Sequence, residues 1–332
     1  MRRFALAISV LALSPGCDKS TTTTTPPASD AATAPAADAP KDEAAAPAVD
    51  ERLAAAEAEA AEKLKRWTPE LQATAQTLRE SDWKSTGQGL DAILASAHRT
   101  PGNAERDPAR HPKKTLEFFG LTPAMHVYEV GQGAGWYTEI LAPLLAKKGK
   151  LYLAGYDSNS EDPKIQSAAK QTELFLSGSA NLYDDVELVV QPVPETKMGE
   201  PGSMDMVLVF RMMHNVHRFK LWDAWMKAAH TALKPGGVLA VVQHRAADDA
   251  NPDDSSPKGY MPEPWLIEKI EGYGFKLEAK SDINANPKDT KDYKEGVWEL
   301  PPVLRAEDAN KDKMRAIGES DRSTLKFVKV GG

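Results

Sequence analysis

The chain has 332 residues, enough for one large α/β domain with extensions or for two average domains. Its formal net charge is −7 at neutral pH and no Lys/Arg-rich face is obvious, so we expect no nucleic acid partner. No run of apolar residues reaches the ~18 that a membrane-spanning helix needs, so we do not expect a multi-span membrane protein. All seven Trp and all eight Tyr residues lie beyond residue 65, and the folded core is therefore expected there.

The N-terminus has the layout of a secretory signal. Arg2 and Arg3 precede a short apolar stretch at residues 4–13. The sequence LSPGC that ends this segment resembles the lipobox of bacterial lipoproteins, in which the cysteine receives a diacylglyceryl group. Cys17 is the only cysteine, so it cannot form an internal disulfide. The alternatives are a plain cleavable signal with an incidental cysteine, or a buried core cysteine.

We therefore predict that residues 1–17 are a lipoprotein signal peptide with lipobox. Acylation of Cys17 would anchor the mature protein to a membrane in the cell envelope, on the periplasmic side.

Two segments without a core of their own follow the signal. Residues 18–50 are rich in Thr, Ala and Pro and contain no aromatic residue, which predicts a disordered tether. Residues 51–110 are predicted to form a helical N-terminal extension. Its Ala-rich start, at residues 51–66, has only Leu53 and Leu64 as large apolar side chains, and we interpret it as a semi-rigid helical spacer.

After residue 110, short runs rich in β-branched or aromatic residues alternate with helical segments. This is the pattern of a parallel sheet covered by helices on both faces. Strands are predicted around residues 126–130, 151–154, 186–190, 206–210, 238–243, 275–280 and 324–330. Helices are predicted at residues 136–145, 165–176, 221–233 and 264–270.

A glycine-rich loop, with the sequence EVGQGAGW at residues 129–136, connects the first predicted strand to the first helix. Glycines let the chain turn tightly and bring bare backbone against a ligand, near the free N–H groups of a helix start. The spacing G-x-G-x-G differs from the G-x-G-x-x-G of dinucleotide-binding folds. Glu129, two residues before the first glycine, would repel a pyrophosphate but attract an ammonium group.

Asp157 comes just after the second predicted strand. A carboxylate at that position can accept hydrogen bonds from both vicinal hydroxyls of a ribose. The alternative is that Asp157 caps a helix or forms an Asx turn, because the next three residues, Ser-Asn-Ser, are turn-like.

Two further motifs complete the pattern: DMVLVFRMMH at residues 205–214, a strand that leads into polar residues, and the helix-to-strand turn LKPGG at residues 233–237. Together with the glycine-rich loop and Asp157, in this order, they resemble the class I S-adenosylmethionine-dependent methyltransferases over roughly residues 112–330. Flanking motifs resemble a narrower bacterial group of predicted secreted or lipoprotein methyltransferases. These are RDPARHP at 106–112, GWYT at 135–138, NPKD at 286–289 and DR at 321–322.

The resemblance implies a fold, a cofactor and a set of binding residues. The fold is α/β, with a Rossmann-like seven-stranded, mostly parallel sheet, an antiparallel last strand and helices on both faces, in a methyltransferase-like domain at residues 111–332. The cofactor is S-adenosylmethionine. Its implied binding residues are Glu129 for the amino acid end, Gly131, Gly133 and Gly135 in the loop, and Asp157 for the ribose. The adenine partner has no clear equivalent, and Glu195 is a candidate.

The catalytic candidates are Tyr137, His214 and His244. Methyl transfer from a sulfonium is an in-line displacement, so the protein mostly aligns the acceptor and excludes water. Tyr137 is placed to face the sulfonium, or else to pack on the sheet. His214 and His244, at strand ends, would serve as bases for an oxygen or nitrogen acceptor, or else are hydrogen-bonded structural residues.

The roles of several neighbouring polar residues have more than one interpretation. Arg211 would bind an acidic substrate or pair with a buried carboxylate. Arg322 would pair with a nearby acid, and the segment 106–111 is a lid or a solvated basic loop. No metal site is expected, because no local Cys, Glu or Asp completes a ligand set with His214 and His217.

The expected function is S-adenosylmethionine-dependent methyl transfer to a small-molecule or lipid acceptor by a membrane-anchored protein. The alternative is a noncatalytic nucleoside-binding or scaffold protein of the envelope that keeps the fold. A scaffold has no physical need for the two acidic residues and three glycines together, so they favour cofactor binding.

Overall fold

The computed structural model describes residues 49–161, 163–190 and 196–331. The predicted signal with Cys17, the predicted tether up to residue 48, and Glu195 lie outside the described residues. Within the described ranges, no helix is both long and apolar enough to cross a bilayer.

The helices and strands alternate along the chain beyond residue 120, as the sequence predicts. The helices are α1 (Val49–Leu64), α2 (Pro69–Glu80), α3 (Thr86–Leu94), α4 (Asp107–Arg110), α5 (Pro112–Phe119), α6 (Thr138–Leu145), α7 (Pro163–Leu176), α8 (Ala180–Tyr183), α9 (Met213–Arg218), α10 (Trp222–Ala232), α11 (Pro252–Ser255), α12 (Glu263–Glu271) and α13 (Lys311–Ile317). The strands are β1 (His126–Val130), β2 (Lys150–Gly155), β3 (Glu187–Val190), β4 (Met204–Phe210), β5 (Leu233–His244), β6 (Phe275–Ser281) and β7 (Arg322–Lys329).

The seven strands form one sheet in the order β3-β2-β1-β4-β5-β7-β6. β7 runs antiparallel to both of its neighbours, and the pairs among β1 to β5 are parallel. Successive side chains of β1 enter different cores, with Val127 in one apolar cluster and Tyr128 in the other, as the two-residue period of a strand requires. Helices cover both clusters. The predicted fold class is therefore confirmed.

The start of β5 differs from the prediction. We predicted a turn at residues 233–237 and a strand from 238, but β5 begins at Leu233, which pairs with Met204 of β4. The register between the two strands shifts between Met204 and Met206, and Gly236 has φ +73°. The glycine-containing segment is therefore an irregular part of the strand rather than a separate turn.

Asp205, the first residue of the DMVLVFRMMH motif, connects three elements at the end of the sheet opposite the glycine-rich loop. Its carboxylate accepts a hydrogen bond from the His126 backbone N–H at 2.8 Å and one from Lys234 Nζ at 2.6 Å. The first residue of the motif therefore joins β4 to its neighbours β1 and β5.

The N-terminal helices are part of the same compact unit as the sheet. α2 and α3 contribute Leu78, Leu90 and Ile93 to the core, and Trp83 Nε1 donates to the Pro143 carbonyl at 3.0 Å. α1 lies against α7. The predicted helix at residues 51–66 thus contacts the domain instead of serving only as a spacer.

Candidate active site

The three glycines of the loop after β1 have left-handed backbone conformations, with φ of +65° at Gly131, +53° at Gly133 and +76° at Gly135. A Cβ on Gly131 would lie 3.0 Å from Met212 Cγ, and one on Gly135 would lie 2.0 Å from Phe175 Cζ. A Cβ on Gly133 would meet no atom within 4 Å. Side chains of the protein itself therefore fill the space beside Gly131 and Gly135. The space beside Gly133 is empty.

α7 lies over the glycine-rich loop. Gln132 Nε2 donates to Thr172 Oγ1 at 3.3 Å, one turn of helix before Phe175. Beside this contact is a cavity of about 230 Å³, which Gly133 and Ala134 line on one side and Trp67, Phe175 and Tyr183 on the others. The sequence predicted the glycine-rich loop but not its contact with α7, because the two segments are about 40 residues apart in the chain.

Glu129 lies near the end of β1 and is 5% exposed. Its Oε2 accepts a hydrogen bond from Thr138 Oγ1 at 2.7 Å, in the first turn of α6. Burial raises the pKa of Glu129 to about 7, against the opposing effects of the Thr138 hydroxyl and the positive charge of Arg211. Glu129 is thus a buried carboxyl group that a nearby cation would readily ionise.

Asp157 follows β2 and is exposed. Its Oδ1 accepts a hydrogen bond from the Asn159 backbone N–H at 2.9 Å, which forms the Asx turn that the sequence left as an alternative. Because β1 and β2 are adjacent parallel strands, Glu129 and Asp157 lie at the same edge of the sheet. Their roles in cofactor binding stay predictions.

A buried network that the sequence analysis missed holds the chain after the loop. Glu139 Oε1 accepts from Arg99 Nε at 2.5 Å and from Asn103 Nδ2 at 3.0 Å, and Oε2 accepts from the Thr100 backbone N–H at 2.9 Å. Arg99 also pairs with Asp107 at 3.0 Å. The only sequence feature that could have indicated this network is Glu139 itself, a single acid in the first turn of the otherwise apolar helix TEILAPLL.

A second cavity, of about 320 Å³, lies where β4 and β5 end. His214, His244 and Arg211 contribute to its wall. Arg211 follows β4 with a left-handed φ of +58°, an unusual conformation for a residue with a Cβ. The next residue, Met212, lies against the glycine-rich loop, since a Cβ on Gly131 would be 3.0 Å from its Cγ.

His214 is buried, and burial lowers its pKa to about 4. The fully buried Gln243 orients it, since Gln243 Oε1 accepts from the Met213 backbone N–H at 3.1 Å and Nε2 lies 3.4 Å from His214 Nδ1. With the amide donating to Nδ1, the neutral ring carries its proton on Nε2.

His244 lies close to His214, with 6.0 Å between the ring centroids. Its Nδ1 is 2.5 Å from Ser320 Oγ. Burial, together with the adjacent His214, Arg322 and Arg211, lowers the pKa of His244 well below its usual range. Both histidines are therefore neutral at physiological pH.

Tyr137, the third catalytic candidate, is 4% exposed. Its ring makes edge contacts with Trp136 and Phe210, each with 4.6 Å between centroids, and burial raises its pKa to about 12. The structure thus has Tyr137 packed on the sheet, the alternative left open above. Its catalytic role stays a prediction.

His217 binds groups on both ring nitrogens. Nε2 lies 2.8 Å from Asp253 Oδ1, and Nδ1 accepts from Trp222 Nε1 at 3.2 Å. In the part of the chain that the structure describes, no group of three or more His, Cys, Asp or Glu side chains is arranged to hold a metal ion.

Three solved structures illustrate the similarity of this fold to known proteins. An S-adenosylmethionine-dependent methyltransferase from Aquifex aeolicus is 16% identical, with 70% of this chain and 95% of that chain covered and a TM-score of 0.43. A geranyl diphosphate methyltransferase in complex with S-adenosylmethionine is 13% identical, with 73% and 95% covered and a TM-score of 0.46. The [4+2]-cyclase SpnF is 17% identical, with 68% and 81% covered and a TM-score of 0.44. Likenesses at this level carry no information on substrate.

The sequence itself gives the family. A comparison with curated proteins found no match. The model of the methyltransferase domain family matches residues 103–277, which is just over half of the chain. The chain therefore belongs to the methyltransferase domain family, which confirms the predicted class, a methyltransferase that depends on S-adenosylmethionine.

Proposed function

We propose that this protein transfers a methyl group from S-adenosylmethionine to a small-molecule or lipid acceptor at a membrane surface. The observation that carries the proposal is the open backbone of Gly133 beside one cavity, together with a second cavity beside His214 and His244 where β4 and β5 end. The chain after β4 packs against the glycine-rich loop, since a Cβ on Gly131 would lie 3.0 Å from Cγ of Met212, the residue after Arg211. A cofactor and an acceptor can thus meet at the ends of β1 and β4.

The residues present fit the cofactor. The position of Gly133 is open and borders a cavity, as a backbone that approaches a ligand closely requires. Glu129 would hold the ammonium group, and Asp157 would accept hydrogen bonds from the ribose hydroxyls. When bound, S-adenosylmethionine supplies an electrophilic methyl group on its sulfonium.

The protein's own contribution is to position the acceptor and exclude water. His214, with its pKa near 4 and its Nδ1 facing Gln243, is a weak base at neutral pH. We therefore assign His214 the role of a hydrogen-bond donor through Nε2 to the acceptor. The pKa of His244 is also lowered well below its usual range, so we assign neither histidine the removal of a proton from the acceptor.

Titration of the full chain with S-adenosylmethionine tests the cofactor site. At about pH 6, Glu129 is largely protonated, because its pKa is near 7 in the free protein. An ammonium bound beside it favours the carboxylate, so binding is expected to release close to one proton. Calorimetry in two buffers of different ionisation enthalpy measures the number of protons. Asp157→Ala is expected to weaken binding about 10- to 100-fold, the value of hydrogen bonds to a charged group, without changing the proton release.

Two controls sharpen this experiment. Glu129→Gln is expected to abolish the proton release, and Asp312→Ala, at an exposed carboxylate on α13, is expected to leave affinity and proton release unchanged. Absence of binding by the folded protein would refute the proposed function. Full affinity in Asp157→Ala would show that the ribose is held elsewhere.

We also propose that the protein belongs to the narrower group of secreted lipoprotein methyltransferases and acts on the periplasmic side of a membrane, anchored through Cys17. The support is the lipobox-like LSPGC sequence with the single cysteine of the chain. Cys17→Ser is expected to abolish incorporation of labelled fatty acid and to move the protein from the membrane fraction to the soluble fraction. Ser29→Ala, in the predicted tether, serves as the control and is expected to leave the protein in the membrane fraction, and a Cys17→Ser variant that stays there would contradict the anchor.

A further inference from the structure

Three arginines share one carboxylate at the wall of the 320 Å³ cavity. Arg110 Nε lies 2.9 Å from both oxygens of Glu319, Arg322 Nη1 lies 2.9 Å from Oε2, and Arg106 Nε lies 3.2 Å from Oε1. Arg211 lines the same cavity. Four guanidinium groups thus face a single acid, which leaves this cluster with an excess of positive charge.

The hydrogen-bond donors of this cluster are incompletely used. Arg110 is 3% exposed and its Nη1 has no hydrogen-bond partner in the described ranges, and the same is true of Nε of the buried Arg322. Among the described residues, no carboxylate forms an ion pair with Arg211. A buried donor without a partner and a buried charge without a counter-charge both cost free energy.

This imbalance indicates a ligand rather than a structural ion-pair network. A network that only stabilised the fold would place a carboxylate against each guanidinium, as Glu139 and Asp107 lie against Arg99. Arginines also keep their protons in such surroundings, even where burial lowers their pKa as it does at Arg211. The component that would balance the charge of this arginine cluster is an anion.

Part of the cavity wall is apolar. It consists of Val297, Trp298, Pro302 and Val303. Trp298 also contacts His214, with 6.1 Å between the ring centroids. A ligand that fills this space would carry its charge at one end and an apolar body at the other.

We propose that the methyl acceptor bears a carboxylate or a phosphate monoester, which Arg110 and Arg211 bind while Trp298 contacts its apolar part. This inference rests on the proposed function, since it takes the cavity as the acceptor site. Guanidinium groups suit both anions, because their paired N–H donors match two oxygens. The anion would give Arg211 the ion pair that it lacks among the described residues, and Arg110 lines the same cavity with a donor, Nη1, that has no partner there.

Binding of simple probes to the full chain tests this proposal without S-adenosylmethionine. The probes are benzoate, phenyl phosphate and the uncharged benzamide, and calorimetry measures their affinities. At least one anion is expected to bind at least tenfold more tightly than benzamide, and the preferred anion identifies the charged group of the acceptor. Arg211→Gln is expected to weaken anion binding tenfold or more. Arg218→Gln removes an exposed guanidinium from α9, the helix of His214, and is expected to change affinity by less than twofold.

Equal affinity for benzamide and both anions, or no anion binding at all, would overturn the proposal, as would unchanged binding in Arg211→Gln. Should Arg211→Gln fail to fold, Arg106→Gln, at a side chain that is 25% exposed, is expected to reduce anion affinity in the same direction. Binding of S-adenosylmethionine without anion binding would refute this inference alone. The opposite result would refute the proposed cofactor site.

Discussion

Replacing Arg99 by methionine is expected to lower the free energy of unfolding by about 3–5 kcal/mol, the usual cost of breaking a buried ion pair from one side. The side chains of Arg99 and Glu139 are 3% and 2% exposed. Without the guanidinium, Glu139 would keep the Thr100 N–H and the Asn103 amide but lose its counter-charge. Chemical denaturation followed by circular dichroism measures the change.

The matched control is Arg315→Met. Arg315 pairs with Asp312 on α13, where the two side chains are 56% and 97% exposed. Such surface pairs contribute little, so we expect a change within about 0.5 kcal/mol. If the two arginine variants were equally stable, the Arg99 network would have no special role in holding α6.

Gly135→Ala is expected to cost about 2–5 kcal/mol of stability. Two effects add up: a left-handed conformation at φ +76°, which costs roughly 1–2 kcal/mol for a residue with a Cβ, and a collision with the Phe175 ring, in the range of about 1–3 kcal/mol for overpacking. Thermal or chemical denaturation measures the loss. Because α7 would have to move, S-adenosylmethionine binding is expected to weaken as well.

Gly133→Ala separates the two effects. Its backbone is also left-handed, at φ +53°, but a Cβ there meets open space, so only the conformational cost of about 1–2 kcal/mol remains. The double variant Gly135→Ala with Phe175→Ala is expected to lack the collision, although it loses the packing of the ring. Identical losses in Gly133→Ala and Gly135→Ala would mean that α7 does not press on the loop.

The sheet was predictable from the sequence because its strands are short runs of β-branched and aromatic residues between clear turn signals. β1 has the predicted bounds, and most of the other strands differ by one or two residues at an end. The start of β5 was not predictable, because the pairing of Leu233 with Met204 depends on the neighbouring strand rather than on the local sequence.

Only those residues of the candidate site that belong to a local sequence motif were predictable. Glu129, the glycines and Asp157 lie on consecutive strand ends, so topology brings them to one edge. The cluster around Glu319 is different, because it joins residues more than 200 positions apart in the chain. Arg322 does pair with a nearby acid, one of the readings left open. However, the excess of arginines appears only when the chain is folded.

The contact between Arg99 and Glu139 also bears on where the functional unit of this chain begins. The family model starts at residue 103, four residues after Arg99. A shorter protein that began at that boundary would leave Glu139 buried in the first turn of α6 without its cation, directly after the glycine-rich loop. The stable domain of this chain is therefore expected to extend upstream of the residues that the family model matches.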